Sequence, residues 1–592
     1  MSQLSPERWK RLAGPAVILF AAVVAIAPQL LRSNSCGHDF DFHLVSWFDV
    51  LSSWRHGILY PHWAPSANYG AGEPRFIFYP PLTWMLGAAL GVVLPWQLVP
   101  VALTFLVLAA TGVATRALAR QAFDDGAATL AGCAALFSGY ALFTAYERSA
   151  FAELTGGFWI PLLLLFILRD RNPSSSAFKR AFDGSAVPLA LVVAGAWLSN
   201  IPLGVMASYL LAAVALAAAM LSKSWVPIVR ASIAVVEGIG LAAVYLIPAA
   251  WEQRWADISQ ATDDPGEMIE NSWLFARHAD PLMELHDLEL RRVSLIAVAM
   301  IAVALAGLLV SRLRNTLPAI RRWWFPLALI PQFVLFLQLS ISLPVWNLLP
   351  KLRFLQFPWR WLVVLEAPMA IFFAAAVWPH GSVRRWRRFA VVAVCSLVFL
   401  AASAAAGKLF FQVCDDEDNV LSMVNVYRAG AGFQGTDEYA PPTADNSLLA
   451  SGLPAACLVS DPSTVLGNGV QQDIAPTWDA SQDSCEATFA LARNLLQHLR
   501  ITAVTPHAGF LILRLRSYPA WLIEVNGRPV SNLPRRKDGL MAVPVPQGPV
   551  DLTVDWTTTP DVLAGRWLSA LAVLLLISLC LLERKLTQPR LS

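Results

Sequence analysis

Asp39, Asp41, His43, Asp49, His56, His62, Glu73 and Arg75 all fall in one stretch, 37–82, of a chain in which only 14% of residues are charged. The same stretch is dense in Trp, Tyr and Pro. Titratable groups beside amphipathic aromatics suit chemistry at a membrane edge. The aromatics anchor the segment at the interface, and the carboxylates are available for proton transfer. The competing reading is an interfacial lid whose acids only meet water. Two more charged clusters join the first: Glu147, Arg148 and Glu153 in YERSAFAE, and Arg353, Gln356 and Arg360 in LRFLQFPWRW. A tight turn at Asn200-Ile201-Pro202 adds a third external point. Two arginines can grip a phosphate or pyrophosphate in bidentate fashion. One carboxylate can take a proton from an acceptor hydroxyl, and another can orient the acceptor or hold a divalent cation. The bland alternatives are interfacial snorkelling for the arginines and solvated cap charges for the glutamates.

The elements that must position these residues are membrane spans. The chain has 592 residues, of which 56% are hydrophobic, and its mean hydropathy is +0.53. A soluble chain of this length carries far more charge, so this is a multi-pass membrane protein. A net charge of +3, with no basic run interleaved with aromatics, argues against nucleic acid. No Walker loop, Rossmann glycine fingerprint, GxSxG elbow, CxxC or zinc spacing is present. Spans are expected at roughly 13–31, 98–115, 127–145, 155–168, 187–200, 203–221, 230–250, 292–310, 323–340, 359–379, 388–406 and 564–582, each about one bilayer in length. The first is read as an uncleaved helix with its basic end inside. Basic loops fall on alternate sides, which by the positive-inside rule places both ends of about twelve spans in the cytoplasm. The apolar segment 81–95 breaks this parity and is expected to lie along the outer interface.

Three regions follow: a membrane domain, 1–406, with a first extracytoplasmic loop at 32–97; an extracytoplasmic all-β domain, 407–563; and a last span with a cytoplasmic tail, 564–592. The β assignment rests on alternating or apolar runs at 500–504, 510–516, 521–525, 540–545 and 550–556, broken by turn signals such as Asn526-Gly527, and a small sandwich is expected. Cys36, Cys414, Cys457 and Cys485 fall outside the membrane and allow three pairings. Cys457 with Cys485 is preferred because both lie in one domain.

The ordered set of motifs resembles a family of bacterial multi-pass proteins described as 6-pyruvoyl-tetrahydropterin synthase-related. It runs from Gly37-x-Asp39-x-x-x-His43 through Gly57-x-x-Tyr60-Pro61-x-Trp63, Phe78-Tyr79-Pro80-Pro81-Leu82, Arg148…Glu153, Gln356-Phe357-Pro358-Trp359-Arg360 and Gly435-Thr436-Asp437-Glu438-Tyr439 to Tyr518-Pro519-Ala520-Trp521 and Val525-Asn526-Gly527. More distantly the layout is similar to the GT-C glycosyltransferases, including protein mannosyltransferases and aminoarabinose transferases. That resemblance implies a GT-C-like fold in a bacterial cytoplasmic membrane and inverting sugar transfer at the extracytoplasmic face. The donor would be a polyprenyl-phosphate sugar and the acceptor a glycan, lipid or protein. It makes Asp39 the candidate general base, Glu153 the second acidic position, and Arg353 and Arg360 the ligands of the lipid phosphate. His43, Arg148 and Gln356 join the candidate substrate-binding set. Asp41 departs from the simpler pattern of one acid, so the choice between Asp39 and Asp41 stays open. A lipid-linked sugar transporter and a non-catalytic envelope scaffold are the alternative functions.

Overall fold

The computed structural model describes residues 6–170, 175–381, 384–463 and 490–587. Helices dominate, as they must where hydrocarbon offers backbone groups no partners. Among the described residues, nine helices are long and apolar enough to cross a membrane, and two bent pairs bring the number to eleven. All eleven cover expected spans. The bends are 70° between Val226–Leu241 and Ala243–Trp255, and 98° between Arg321–Leu337 and Ser340–Leu348.

The twelfth expected span, 13–31, is not one helix. Helix Pro6–Ala25 stops, and a helix of 6 residues, Ala27–Arg32, follows. Pro28 has no N–H to give the carbonyl four residues back. That carbonyl, on Val24, accepts instead from Ser403 Oγ at 2.7 Å. The segment 81–95 forms helix Pro81–Val93, of 13 residues. At the usual rise this is about 20 Å long, short of a hydrocarbon core of about 30 Å.

Small residues let the spans approach closely. Gly112 and Gly132 meet between helices Val99–Ala119 and Asp125–Leu136, where a Cβ on Gly132 would come within 2.6 Å of the Gly112 carbonyl oxygen. Such contacts are how helices associate in lipid, where burial of apolar surface gives no drive. The segment Pro358–Val377 is the most deeply buried of the nine candidate spans and carries Arg360 near its start.

Among the described residues, the C-terminal region holds eight strands: β1 (Ala456–Val459), β2 (Ala490–Leu495), β3 (His498–Thr505), β4 (Gly509–Arg516), β5 (Trp521–Val525), β6 (Arg528–Pro529), β7 (Leu540–Val545) and β8 (Gly548–Trp556). They form two antiparallel sheets, ordered β1-β4-β7 and β2-β3-β8-β5-β6. Leu511, Leu513 and Val543 from the first sheet pack with Ile501, Ile523 and Leu552 from the second. The alternate residues Ile512 and Ala542 point the other way, onto Ala71 of the first loop. The smaller sheet is therefore covered on both faces, which is why β7 reads as a continuous apolar run.

The first loop is built into this region. The Trp63 ring sits 5.3 Å from Trp521 and 5.5 Å from Trp556, centroid to centroid. Glu73, fully buried, accepts from the Thr436 N–H at 2.8 Å and hydroxyl at 3.1 Å, and pairs with Arg75 at 2.7 Å. Arg75 donates on to Ser46 Oγ at 3.1 Å. A disulfide joins Cys36 to Cys414. Cys457 is also disulfide-bonded; its expected partner, Cys485, lies outside the described residues.

Candidate active site

Helix Phe40–Arg55 begins with Asp39 at its cap position. Its buried stripe of Phe40, Leu44, Trp47, Phe48 and Leu51 has the spacing of a helix packed on a core. The chain before it lies against residues 147–149. The Asp39 N–H donates to the Arg148 carbonyl at 2.9 Å, and the Gly37 N–H to Ser149 Oγ at 3.1 Å. A Cβ on Gly37 would collide with the Glu147 carbonyl oxygen, so this approach requires glycine.

This docking brings Asp39 to Arg148, whose Nη2 lies 3.9 Å from Asp39 Oδ2. Arg148 Nη1 reaches Glu153 Oε2 at 3.0 Å, and Arg360 Nε reaches the same oxygen at 3.3 Å. The Tyr140 hydroxyl donates to the other Glu153 oxygen. Arg360 Nη1 donates to Gln356 Oε1 at 2.8 Å and to the Leu355 carbonyl at 2.9 Å. Five of the residues singled out from the sequence, Asp39, Arg148, Glu153, Gln356 and Arg360, thus form one connected network. Two acids balance two guanidiniums. Burial alone would lower the pKa of Arg148, but Glu153 first and Asp39 second hold it above its usual range. Glu153 and Arg148 are buried, whereas the Asp39 side chain is 36% exposed, so Asp39 is the carboxylate of the network that a ligand can reach.

The network opens on a cleft of about 630 Å³, lined by Asp41, Arg75, Gln356 and the acids Glu267 and Glu438 among others. Burial pushes the Glu438 carboxyl up to about 7, and Glu73 and Glu267 add to the rise. Burial also raises Glu267, against the charges of Arg360 and Arg148. Gln356 belongs to both places: it lines the cleft and accepts from Arg360.

Three expected site residues are placed differently. Asp41 is exposed at the cleft, where its Oδ1 accepts from the Phe42 N–H at 2.7 Å. His43 is buried behind it among Phe42, Tyr79 and Phe151, and burial lowers its pKa to about 4, so the ring is neutral there. Arg353 points away from the network. It forms a bidentate pair with Glu270 at 2.8 and 2.9 Å, with both side chains substantially exposed. Arg353→Ala is therefore expected to lower stability by about 1 kcal/mol or less, read as a small shift in thermal unfolding of the purified protein. Tyr140 and Glu267 carry no sequence signal: one lies in an apolar span, the other in a long acidic loop. Among the described residues, no group of three or more His, Cys, Asp or Glu side chains is placed to hold a metal ion, so the possible divalent cation has no ready ligand set there.

Beside the network, an apolar groove of about 700 Å³ runs between the spans. Leu295, Met300, Val303, Phe373 and Phe399 line it, with Arg292 and Lys408 also at its wall. Arg292 pairs with Glu147, the residue before Arg148.

Fold and site together define a multi-pass membrane protein with a buried ionic cluster where its spans meet the first loop. The chain belongs to the family of membrane proteins described as the 6-pyruvoyl-tetrahydropterin synthase related domain, whose profile matches residues 76–410. The match includes Arg148, Glu153 and Arg360, while Asp39 lies ahead of it. No curated protein matches the chain. Among solved structures it is similar to the archaeal oligosaccharyltransferase AglB from Archaeoglobus fulgidus, in complex with an inhibitory peptide and a dolichol-phosphate. The identity is 14% and the TM-score 0.43, over 73% of this chain and 61% of that one. The arabinofuranosyltransferase AftD from Mycobacteria is similar at 18% identity and TM-score 0.36, over 69% of this chain and 27% of that one. The apo oligosaccharyltransferase of Archaeoglobus fulgidus gives 13% and 0.39, over 72% and 61%. This chain thus spans less than two thirds of the length of each.

Proposed function

We propose that this protein is a membrane glycosyltransferase that takes its sugar from a polyprenyl-phosphate donor at the extracytoplasmic face of a bacterial cytoplasmic membrane. The observation that carries the reading is the half-open Asp39 carboxylate, set against Arg148, with Arg360 tied in through Glu153 and the network joined to the cleft by Gln356. Asp39 takes the proton of an acceptor hydroxyl. The acceptor oxygen attacks the anomeric carbon, and the bond from that carbon to the phosphate oxygen breaks with inversion. The electron pair leaves on the polyprenyl phosphate, where Arg148 and Arg360 supply positive potential as charge develops. The apolar groove, with Arg292 and Lys408 at its wall, suits a lipid chain that carries an anionic head. Arg353, paired with Glu270 away from the cluster, has no part in this scheme. No step is routed through a metal.

The test uses the purified full-length protein in nanodiscs, radiolabelled polyprenyl-phosphate sugars, the matching nucleotide sugars and an extract of envelope glycans and lipids as acceptor. Label is expected to pass from a polyprenyl-phosphate sugar, with one polyprenyl phosphate released per transfer. Transfer from nucleotide sugars alone, or from no donor by demonstrably folded protein, would overturn the proposal.

A further inference from the structure

A second cavity, of about 380 Å³, lies at the seam between the first loop and the β-sandwich. Its volume is within the range of small-ligand sites, about 300–1,000 Å³. Asp49, Ser66 and Tyr427 line one side, and Trp63, Arg514 and Trp521 the other. Three of these groups are incompletely satisfied. Asp49 is fully buried; its Oδ2 accepts from Ser66 Oγ at 2.7 Å, but its Oδ1 has no partner among the described residues. Burial pushes this carboxyl up to about 6, despite the hydrogen bonds from Ser66 and Tyr427 and the charge of Arg75. Among the described residues the Arg514 side chain donates to the Leu453 carbonyl alone, at 3.0 Å, and burial holds it below the usual guanidinium range. The buried Trp521 Nε1 has no acceptor among the described residues. Polar groups left open in this way are costly unless something else completes them.

We propose that this cavity binds one uncharged sugar ring of a glycan. Each sugar hydroxyl both donates and accepts, so one ring can donate to Asp49 Oδ1 while accepting from Arg514 and Trp521 Nε1. Its C–H face suits the aromatic walls of Trp63, Trp521 and Tyr427, which pair an apolar body with a polar tip. Besides His56 and His498, the wall holds one carboxylate and one guanidinium. An anion would be repelled by the first and a cation by the second, whereas a neutral polyol uses both. The cavity also has a direction. Asp41, Val45 and Asp49 recur every fourth residue, so they follow one helix face. Asp41 and Val45 line the cleft beside Asp39, and Asp49 lines this cavity. From Asp41 to Asp49 is about 12 Å of helix rise, a distance that a short glycan can cover. That the glycan is the acceptor rests on the glycosyltransferase reading; that the cavity binds a sugar does not.

The test is isothermal titration of the full-length protein in nanodiscs with gluco-, manno- and galacto-tetrasaccharides. Saturable binding of at least one is expected. Asp49→Asn and Arg514→Gln, each checked for cooperative unfolding, should weaken it about tenfold, the effect of losing one well-placed hydrogen bond. Arg353→Ala, whose side chain pairs with Glu270 and lines neither cavity, should bind as wild type does. Binding without transfer keeps this inference while removing the acceptor role. No binding by any of the three sugars overturns it. So does equal binding by both folded variants, or displacement of the sugar by inorganic phosphate.

Discussion

Asp39→Asn is expected to lower glycosyl transfer by about 10²–10⁴-fold, the range for removing a positioned general base, with no loss of folded protein. The geometry allows so clean a separation. The Asp39 carboxylate makes no capping hydrogen bond to its helix, so asparagine removes none. Among the described residues its one ionic contact, to Arg148, is long at 3.9 Å, and Arg148 keeps its closer bond to Glu153 at 3.0 Å. The stability cost of losing a half-exposed charge contact is about 1 kcal/mol or less. Proton acceptance, by contrast, disappears entirely. Asp41 is the internal control. It lines the cleft, but one oxygen is occupied by the N–H of Phe42 and, among the described residues, no arginine is bonded to it. Asp41→Asn is expected to stay within about tenfold of wild type, a smaller loss than removal of the base would give. Initial rates of label transfer and melting temperatures of both variants check this. A large loss in Asp41→Asn alone would move the base to Asp41. Normal transfer by the double variant would remove general-base catalysis by these carboxylates.

The spans were legible because a bilayer demands long uninterrupted apolar runs, and eleven of them stand out in the chain. The failure at 13–31 has a local cause in Pro28, a residue visible in the sequence but hidden within a window average. The β-sandwich was legible where side chains alternate or form apolar runs, in β3, β4, β5, β7 and β8. It was not legible in β1, with 4 residues, or β6, with 2, which are too short to show a period. The opposite fates of Arg353 and Arg360 could not be read from LRFLQFPWRW. Two short 3-10 turns, Leu352–Leu355 and Pro358–Trp361, are separated by Gln356 at a positive φ of 60°. That reversal sends one arginine to Glu270 and the other to Glu153. Spacing on a helix or a strand cannot express such a turn, because its angle depends on what packs around it. Asp39 and Glu153 meet for a similar reason: contacts at Gly37 and Ser149 join two loops far apart in sequence, and neither loop alone announces the other.

Glu153→Leu is expected to destabilise the protein by about 3–5 kcal/mol, the cost of breaking a buried ion pair from one side. It is the larger of the stability effects because Glu153 serves several partners at once. Arg148 and Arg360 both contact Oε2, and the Tyr140 hydroxyl donates to Oε1. Leucine fills much of the volume yet leaves two buried guanidiniums without their shared anion. Glu153→Gln separates the contributions: it keeps an acceptor for Tyr140 and loses only the charge, so its cost should be smaller. Adding Arg148→Met to Glu153→Leu should recover part of the loss, because one of the stranded cations is then gone. Residues in one ionic network are not additive, and the cycle measures their coupling directly. Thermal unfolding of wild type, these three variants and Arg148→Met alone, in the same detergent, supplies the numbers. If Glu153→Leu unfolds within about 1 kcal/mol of wild type, as an exposed pair would, the cluster is solvated and Asp39 is not held by a rigid frame. If the loss is large and the double variant recovers, the arginines are fixed by Glu153 before any ligand arrives. The positive potential at the cleft is then in place at the moment charge develops on a leaving phosphate, which is what electrostatic preorganisation requires.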